Sequence, residues 1–461
     1  MGFATVRPFG GVATPATDAI LPDLGTCGDS RTAQHFTGSA PNIIREHRGM
    51  SYWVGYLTDG AVQVQVAFAG GVGGDTSQMC LVRTPGLVAA KSGAVMTRMG
   101  TNDPTSSTYT ATWTVDQAIA ASIEYISTAI ARFLDAGHPV FHISQTPRGG
   151  LDGTDKELTG DRLKHLLGIL DWELNTLPTL RLGRYRRTVA AVGNAWSLWL
   201  DPASTAARPL PLTGLTVDGL HDTSTGAFLC VMSILASVKR LYPVRATLPI
   251  SVARSLPFSN AAAAPVPLGV LTRNPGMLGT AGSVPASVNP VAGSVLPDEW
   301  KSVAASFAGV SSKSEIVSTP VGRGIKITFT GRAASGAYYS LEPAALVSLL
   351  DVAAGDKIES IAYMAGAGDL SGCLQASPEL RFIRPGGTYY VRDGNKYTAV
   401  VMPLLMNGVA GQGISGVTRS PTLVIDKTET EIKQRFTIYL RDGVDLNFSI
   451  IVAAHGCSKV Y

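Results

Sequence analysis

The pattern of strand and helix signals changes once along this chain, and that change limits the folds open to it. Up to about residue 245, short apolar runs alternate with helical periodicity. Val62–Phe68 alternates with period two, and Ala94–Met99 is a short apolar run. Ile119, Ile123, Ile126, Ile130 and Phe133 follow at steps of four and three, the spacing of one apolar helix face. Gly137 and Pro139 stop that helix, and Val140–Ile143 then reads as a buried strand. Asp161–Leu174 and Gly226–Leu241 read as further helices, with a strand at Thr188–Val192 between them. Strand–helix alternation predicts a parallel sheet covered by helices on both faces. From about Asp298 the signals are almost all strands. Ile325–Phe329, Lys357–Tyr363, Thr398–Met402, Arg435–Leu440 and Leu446–Val452 alternate, and only Pro343–Ala353 looks helical. Many short strands at regular spacing predict an antiparallel sandwich, most simply a jelly roll.

Between these halves, residues 256–297 are rich in Pro, Ala, Gly, Ser and Val with almost no charge. So long an irregular stretch inside one compact domain is unusual, which places a boundary here. The expected organisation is an N-terminal segment 1–14, an α/β domain 15–250, a connector 251–297 and a β-sandwich 298–461. With 45% hydrophobic and 16% charged residues, a chain of this length buries full cores without staples. The net charge of +4 and the absence of a basic stripe argue against a nucleic-acid partner. Arg181, Arg184, Arg186 and Arg187 read as a solvated loop. Five Cys with no CxxC pair and no zinc spacing read as small buried thiols, so no metal is expected. No apolar run is long enough for a membrane-spanning helix, and the first residues lack the basic-then-apolar order of a signal peptide.

Four short motifs occur in order: Gly28-Asp29-Ser30, GGVGGDT over residues 70–76, Gly100-Thr101-Asn102-Asp103, and Asp218-Gly219-Leu220-His221. Each lies just past an expected strand or just before an expected helix. In an open parallel sheet such strand ends share one edge, where ligands bind. A Ser hydroxyl becomes a useful nucleophile only with a base to take its proton, and His suits that role near neutral pH. An Asp holds the imidazole in the required tautomer, while Gly N–H and Asn amide groups are suitable donors to an oxyanion. Singly, each motif is also what a turn or a helix cap looks like.

In this order and spacing, GDS, GGDT, GTND and DGLH resemble conserved blocks of the SGNH (GDSL-like) hydrolases, over roughly residues 15–245. The resemblance implies a flavodoxin-like α/β/α three-layer sandwich and ester hydrolysis without a cofactor. It makes Ser30 the nucleophile, His221 the base and Asp218 its orienting acid. It makes the Ser30 N–H, Gly74 and Asn102 the oxyanion donors, with Gly73 or Gly71 as alternatives to Gly74. The chain departs from the family at Arg31, where many members carry an aliphatic residue. Arg31 reads either as a structural surface residue or as a contact to an anionic substrate. Trp196 and Trp199 read either as the rim of a sugar site or as core, and His142 as a satisfied core residue.

A β-sandwich after an esterase points to carbohydrate targeting, with Tyr338, Tyr339, Tyr389, Tyr390 and Tyr397 as aromatic candidates alongside a packing role. The stretch that begins NPGMLGTAG at Asn274 resembles segments that precede jelly-roll modules in bacteriophage tail proteins. That resemblance implies a tail-spike or tail-fibre esterase in the virion. Such a protein would remove O-acetyl groups from a capsule or O-antigen at the bacterial surface. Its partners would be an acetylated polysaccharide and, if the β-domain serves assembly, further copies in a trimer or other tail proteins. The alternatives are a cellular or secreted lipase or thioesterase, a plant-polysaccharide acetyl esterase, and a non-enzymatic receptor-binding tail protein.

Overall fold

The computed structural model describes residues 23–37, 41–58, 60–90, 92–111, 113–242, 271–272, 274–394 and 415–460. The first half runs β1 (Leu24–Gly28), α1 (Ser30–Ala33), β2 (Phe36–Thr37), β3 (Ile43–Glu46), α2 (Met50–Leu57), β4 (Val64–Gly71), α3 (Ser77–Ala89) and β5 (Val95–Arg98). It continues through α4 (Ser107–Thr110), α5 (Val115–Asp135), β6 (Val140–Ile143), α6 (Gly160–Asn175), β7 (Ala191–Gly193), α7 (Ala195–Trp199), α8 (Ser224–Met232) and α9 (Leu235–Leu241). Five of these strands form one sheet in the order β4-β1-β5-β6-β7, parallel throughout. This is the doubly wound, flavodoxin-like order, which reverses at β1. Loops leaving β1 and β5 therefore open onto the crevice where ligands bind in such sheets.

Side-chain alternation along these strands builds the three layers. Val95 and Val140 pack with Ile126, Ile130 and Phe133 of α5, the face expected from the sequence. Met96 and Phe141, one residue on, pack with Trp53 of α2 and Val231 of α8. Helix α5 starts at a full capping box, Thr114 with Gln117. The helix expected over Gly226–Leu241 is broken into α8 and α9, whose axes meet at 62°. Ser233 Oγ bonds back to Cys230 O at 2.6 Å, an interaction that bends helices.

The second half runs β8 (Trp300–Ala305), β9 (Val310–Thr319), β10 (Gly322–Arg332), β11 (Tyr338–Pro343), β12 (Lys357–Asp369), β13 (Cys373–Arg384), β14 (Gly387–Gly394), β15 (Ser415–Arg419), β16 (Leu423–Val424), β17 (Glu431–Leu440) and β18 (Asp445–Val460). One sheet has the order β15-β12-β18-β10-β9, with β16 beside β12, and the other β2-β3-β14-β13-β17-β11-β8. Ile325, Ile327 and Phe329 oppose Val452, Ile450 and Phe448, and all six are buried between the sheets. Among the described residues, the named strands of the second half pair with one another antiparallel, as the period-two runs predict.

Three further features depart from the sequence reading or add to it. Pro343–Ala353 is not helical: the Ala344 and Val347 N–H groups bond Glu299 O and Ile432 O instead, and Val347 and Val352 enter the sandwich core. The connector's described part is docked on the sandwich, with Met277, Val288 and Leu296 buried beside Trp300. Its NPGML turn is held by Asn274, which bonds Leu278 N–H, Leu278 O and Asp298 O. Finally, β3 leaves the α/β half to pair in parallel with β14. Its Arg45 Nε donates to Asp393 Oδ1 at 2.7 Å, with both side chains buried. Through Gln63, at 3.1 Å from Arg45 and 2.8 Å from Glu359, the same network reaches the other sheet. The Thr398–Met402 strand and Tyr397 lie outside the described residues.

Candidate active site

The chain turns from β1 into α1 with no loop between them. A Cβ on Gly28 would lie 2.2 Å from Thr32 Oγ1 and 2.3 Å from Arg98 O, so glycine alone lets β1, β5 and α1 converge. Asp29 caps α1 by accepting the Arg31 N–H at 2.9 Å. Ser30 thus stands at the carboxyl edge of the sheet, where the strand order reverses. The other half of the site is the loop before α8. Asp218 Oδ1 accepts the N–H groups of Leu220 and His221 at 3.0 and 2.8 Å. Its Oδ2 lies 2.7 Å from His221 Nδ1, and His221 Nε2 lies 3.0 Å from Ser30 Oγ. Gly219 has φ +81°, and a Cβ there would sit 2.3 Å from Gly153 O. Only glycine allows the neighbouring Gly149 N–H to reach Gly219 O at 2.7 Å while the two loops pass this closely.

Burial pushes the Asp218 carboxyl up, but the His221 and Leu220 hydrogen bonds outweigh it and hold the group below its ordinary value. An ionised Asp218 keeps a proton on Nδ1 and leaves the Nε2 lone pair facing the Ser30 hydroxyl. This arrangement can take the Ser30 proton as Oγ attacks an acyl carbonyl, then return it from Nε2 to the departing alkoxide. Water activated by the same nitrogen completes hydrolysis. The N–H groups of Ser30 and Gly74 bond no other described residue and are available as donors. Asn102 Nδ2 spends one hydrogen on Asp75 O at 3.0 Å, which ties the GTND loop to the GGDT loop and leaves one hydrogen over. Asp103 is structural: Ser77 N–H and Oγ bond its carboxyl at 2.8 and 2.5 Å. Among the described residues no cluster of His, Cys, Asp or Glu is arranged to hold a metal ion.

Two expected substrate contacts are corrected. Arg31 is fully buried, so it is neither a surface residue nor open to substrate. Its Nη1 donates to Thr146 Oγ1 at 2.7 Å, and its Nε lies 3.7 Å from Asp29. Trp199 is also fully buried, packed in the core with Arg98 over its ring. Trp196 is half-buried and lines a groove with Arg148, Leu158, Leu163, Leu166 and Pro209. His142 is core, as expected, between Thr97 Oγ1 at 2.8 Å and Glu173 at 2.9 Å.

The motifs do not reveal the buried supports. Arg98 is paired with Asp222, and its Nη2 reaches Thr146 Oγ1 at 3.1 Å. Ser30 and His221 are therefore each followed by a residue of one buried network. Arg83 holds Asp75 at 2.6 Å and donates to Gly28 O at 2.9 Å, joining the GGDT loop to β1. Arg148 Nη1 donates to Thr101 O at 2.9 Å. The available signal was the arginine closing an apolar strand at Arg98 and the acid directly after His221.

In the β half, Tyr339 and Tyr389 pack toward the interior. Tyr338 and Tyr390 lie on the opposite face of the seven-stranded sheet. There Tyr338 meets the Tyr439 ring at 5.7 Å, and Arg392 lies over both Tyr390 and Tyr439.

No family model and no curated protein matches this chain. Solved structures similar to it include a GDSL-like lipase from Bacteroides thetaiotaomicron, 14% identical, covering 48% of this chain and 89% of that one with a TM-score of 0.32. An acetyl-xylooligosaccharide esterase from Geobacillus is 15% identical, covers 49% and 96%, and has a TM-score of 0.29. A family 11 carbohydrate-binding module of a Clostridium thermocellum cellulase is 12% identical, covers 35% and 88%, and has a TM-score of 0.19.

Proposed function

We propose that this chain is a serine esterase that removes small acyl groups, acetyl above all, from a polysaccharide. The observation that carries this reading is the unbroken hydrogen-bond chain Asp218–His221–Ser30 at the point where the sheet order reverses. Ser30 is the nucleophile, His221 the base and Asp218 its orienting acid; Ser30 N–H, Gly74 N–H and Asn102 Nδ2 receive the oxyanion. Preference for acetyl follows from the surroundings. A long acyl chain needs an extended apolar surface, at roughly 0.8 kcal/mol per buried CH₂, whereas the groove at Trp196 is shallow and small and has the Arg148 guanidinium in its lining. The aromatic and cationic face carrying Tyr338, Tyr390 and Tyr439 is the proposed polysaccharide contact.

The finer proposal is a bacteriophage tail-spike or tail-fibre esterase acting on capsule or O-antigen, supported by the form of the NPGMLGTAG stretch alone. The test is acetate release from a panel of acetylated bacterial polysaccharides, with Ser30→Ala as control. Acetyl esters should turn over much faster than octanoyl esters of the same leaving group. Equal or faster octanoyl turnover would favour a lipase or thioesterase, and no Ser30-dependent hydrolysis of any ester would favour a binding protein.

A further inference from the structure

The network around the site has an excess of buried positive charge. Arg31, Arg98 and Arg148 are all buried, while the buried carboxylates among them are Asp29 and Asp222. Asp29 faces Arg31 and Asp222 faces Arg98. Asp218 is partly exposed and committed to His221. Arg148, only 7% exposed, has no carboxylate partner among the described residues, and its Nε has no hydrogen-bond acceptor. Asp29 and Asp218 attract Arg148 only from a distance, so a ligand carboxylate in direct contact with the guanidinium would add an ion pair that the fold does not supply.

The position of Arg148 shows where that anion would come from. Its Nη1 holds the carbonyl of Thr101, the residue before Asn102. The next residue, Gly149, bonds Gly219 in the Asp218–His221 loop. Arg148 therefore stands between the oxyanion loop and the acid–base loop. It borders a shallow groove, open to solvent, together with Trp196, Leu158, Leu163, Leu166 and Pro209. A shallow, open groove with one aromatic ring and one guanidinium at its edge suits a pyranose that carries a carboxylate. The ring face lies on the indole, and the carboxylate accepts from the planar guanidinium edge.

We propose that Arg148 and Trp196 form a subsite for an acidic sugar beside Ser30, so that the ester substrate is an acetylated hexuronate-containing saccharide and not a neutral one. This rests on the esterase reading. The experiment measures acetate release from an O-acetylated hexuronate oligosaccharide and from the same compound with its carboxylates converted to primary amides. The carboxylate form should show at least about a tenfold higher kcat/KM, the size of one charge-assisted hydrogen bond. Arg148→Gln should bring that ratio close to one, and Arg148→Lys should restore part of it. Free hexuronate should also inhibit wild-type p-nitrophenyl acetate hydrolysis competitively, with the neutral hexose and a hexose phosphate weaker, a result that does not depend on how the variants fold. Equal rates on the carboxylate and amide substrates, an unchanged ratio in folded Arg148→Gln, or stronger inhibition by hexose or hexose phosphate would overturn the subsite while leaving the esterase intact. Absence of Ser30-dependent p-nitrophenyl acetate hydrolysis would overturn both.

Discussion

Ser30 and Arg31 are neighbours in sequence, as are His221 and Asp222, yet each pair divides between two environments. Ser30 and His221 are half-buried, joined to each other, and reachable by a substrate. Arg31 and Asp222 are fully buried and joined to each other through Thr146 and Arg98. The same two loops thus meet twice, once in the reacting groups and once beneath them. The upper contact is a single hydrogen bond that must break and re-form during a reaction. The lower contact consists of charged hydrogen bonds shielded from water, which hold their geometry because leaving any of them unmade is costly. Chemistry and support are separated by one residue of chain, and substitutions in the two layers should have opposite signatures.

The sharpest test of that separation is Ser30→Ala. It should lower ester turnover by about three or more decades, since a nucleophile acts mainly in the transition state. The urea midpoint and thermal midpoint should stay at wild-type values. A large loss of stability in this variant would place Ser30 in the supporting layer and break the comparison. Asp222→Asn should behave in the reverse way. It leaves Arg98 buried without its carboxylate, and breaking a buried pair by removing one partner costs about 3–5 kcal/mol. Equilibrium urea denaturation measures this directly. A wild-type midpoint would show that Arg98 is satisfied by other means.

The two layers were unequally legible in the sequence. The reacting groups were readable because each motif carries its own signature over three or four residues, and because strand–helix alternation puts those motifs at one sheet edge. The period-two runs likewise gave the antiparallel pairing of β10, β12, β17 and β18. The supporting layer has no local signature. Arg31 looked like a surface residue because nothing near it in sequence announces Thr146, 115 positions away. Trp199 reads equally as rim or core, because nothing near it in sequence shows that its ring turns into the core under Arg98. The same limit applies to β3. A strand of four residues gives a weak signal, and its partner β14 lies about 350 residues further on. Pro343–Ala353 has helix-forming composition, but the sandwich takes its backbone donors and two of its valines.

A finer probe of the lower layer is Thr146→Val, which keeps side-chain shape and removes the acceptor shared by Arg31 and Arg98. Two buried guanidinium groups then each lose a hydrogen bond, so a loss of about 1–3 kcal/mol is expected. Thr146→Ser keeps the hydroxyl and should recover most of it. If Val and Ser behave alike in urea denaturation, the hydroxyl is not the joint between the loops, and the two layers are coupled through packing instead.

The smallest expected effect concerns pH and belongs to the upper layer. Asp218 is held below its ordinary carboxylate value in the folded chain because the His221 and Leu220 hydrogen bonds favour its ionised form over the opposing effect of burial. A group with a depressed folded pKa binds fewer protons folded than unfolded. It therefore adds stability above the unfolded carboxylate pKa, and that contribution disappears as pH falls through the folded value. Asp218→Asn should then narrow the difference in thermal midpoint between about pH 6 and about pH 3, because one source of acid sensitivity is gone. The change should be small, since the Asp218 side chain is 41% exposed and solvent screens its interactions. Asp222→Asn cannot serve as the control, because its loss is set by an unpaired Arg98 at every pH where the chain folds. Ser30→Ala is the proper control: it removes the hydroxyl above His221 without touching the carboxylate, so its acid limb should overlay that of the wild type. If Ser30→Ala flattens the limb as much as Asp218→Asn does, the acid sensitivity belongs to the whole hydrogen-bonded chain and not to the Asp218 turn.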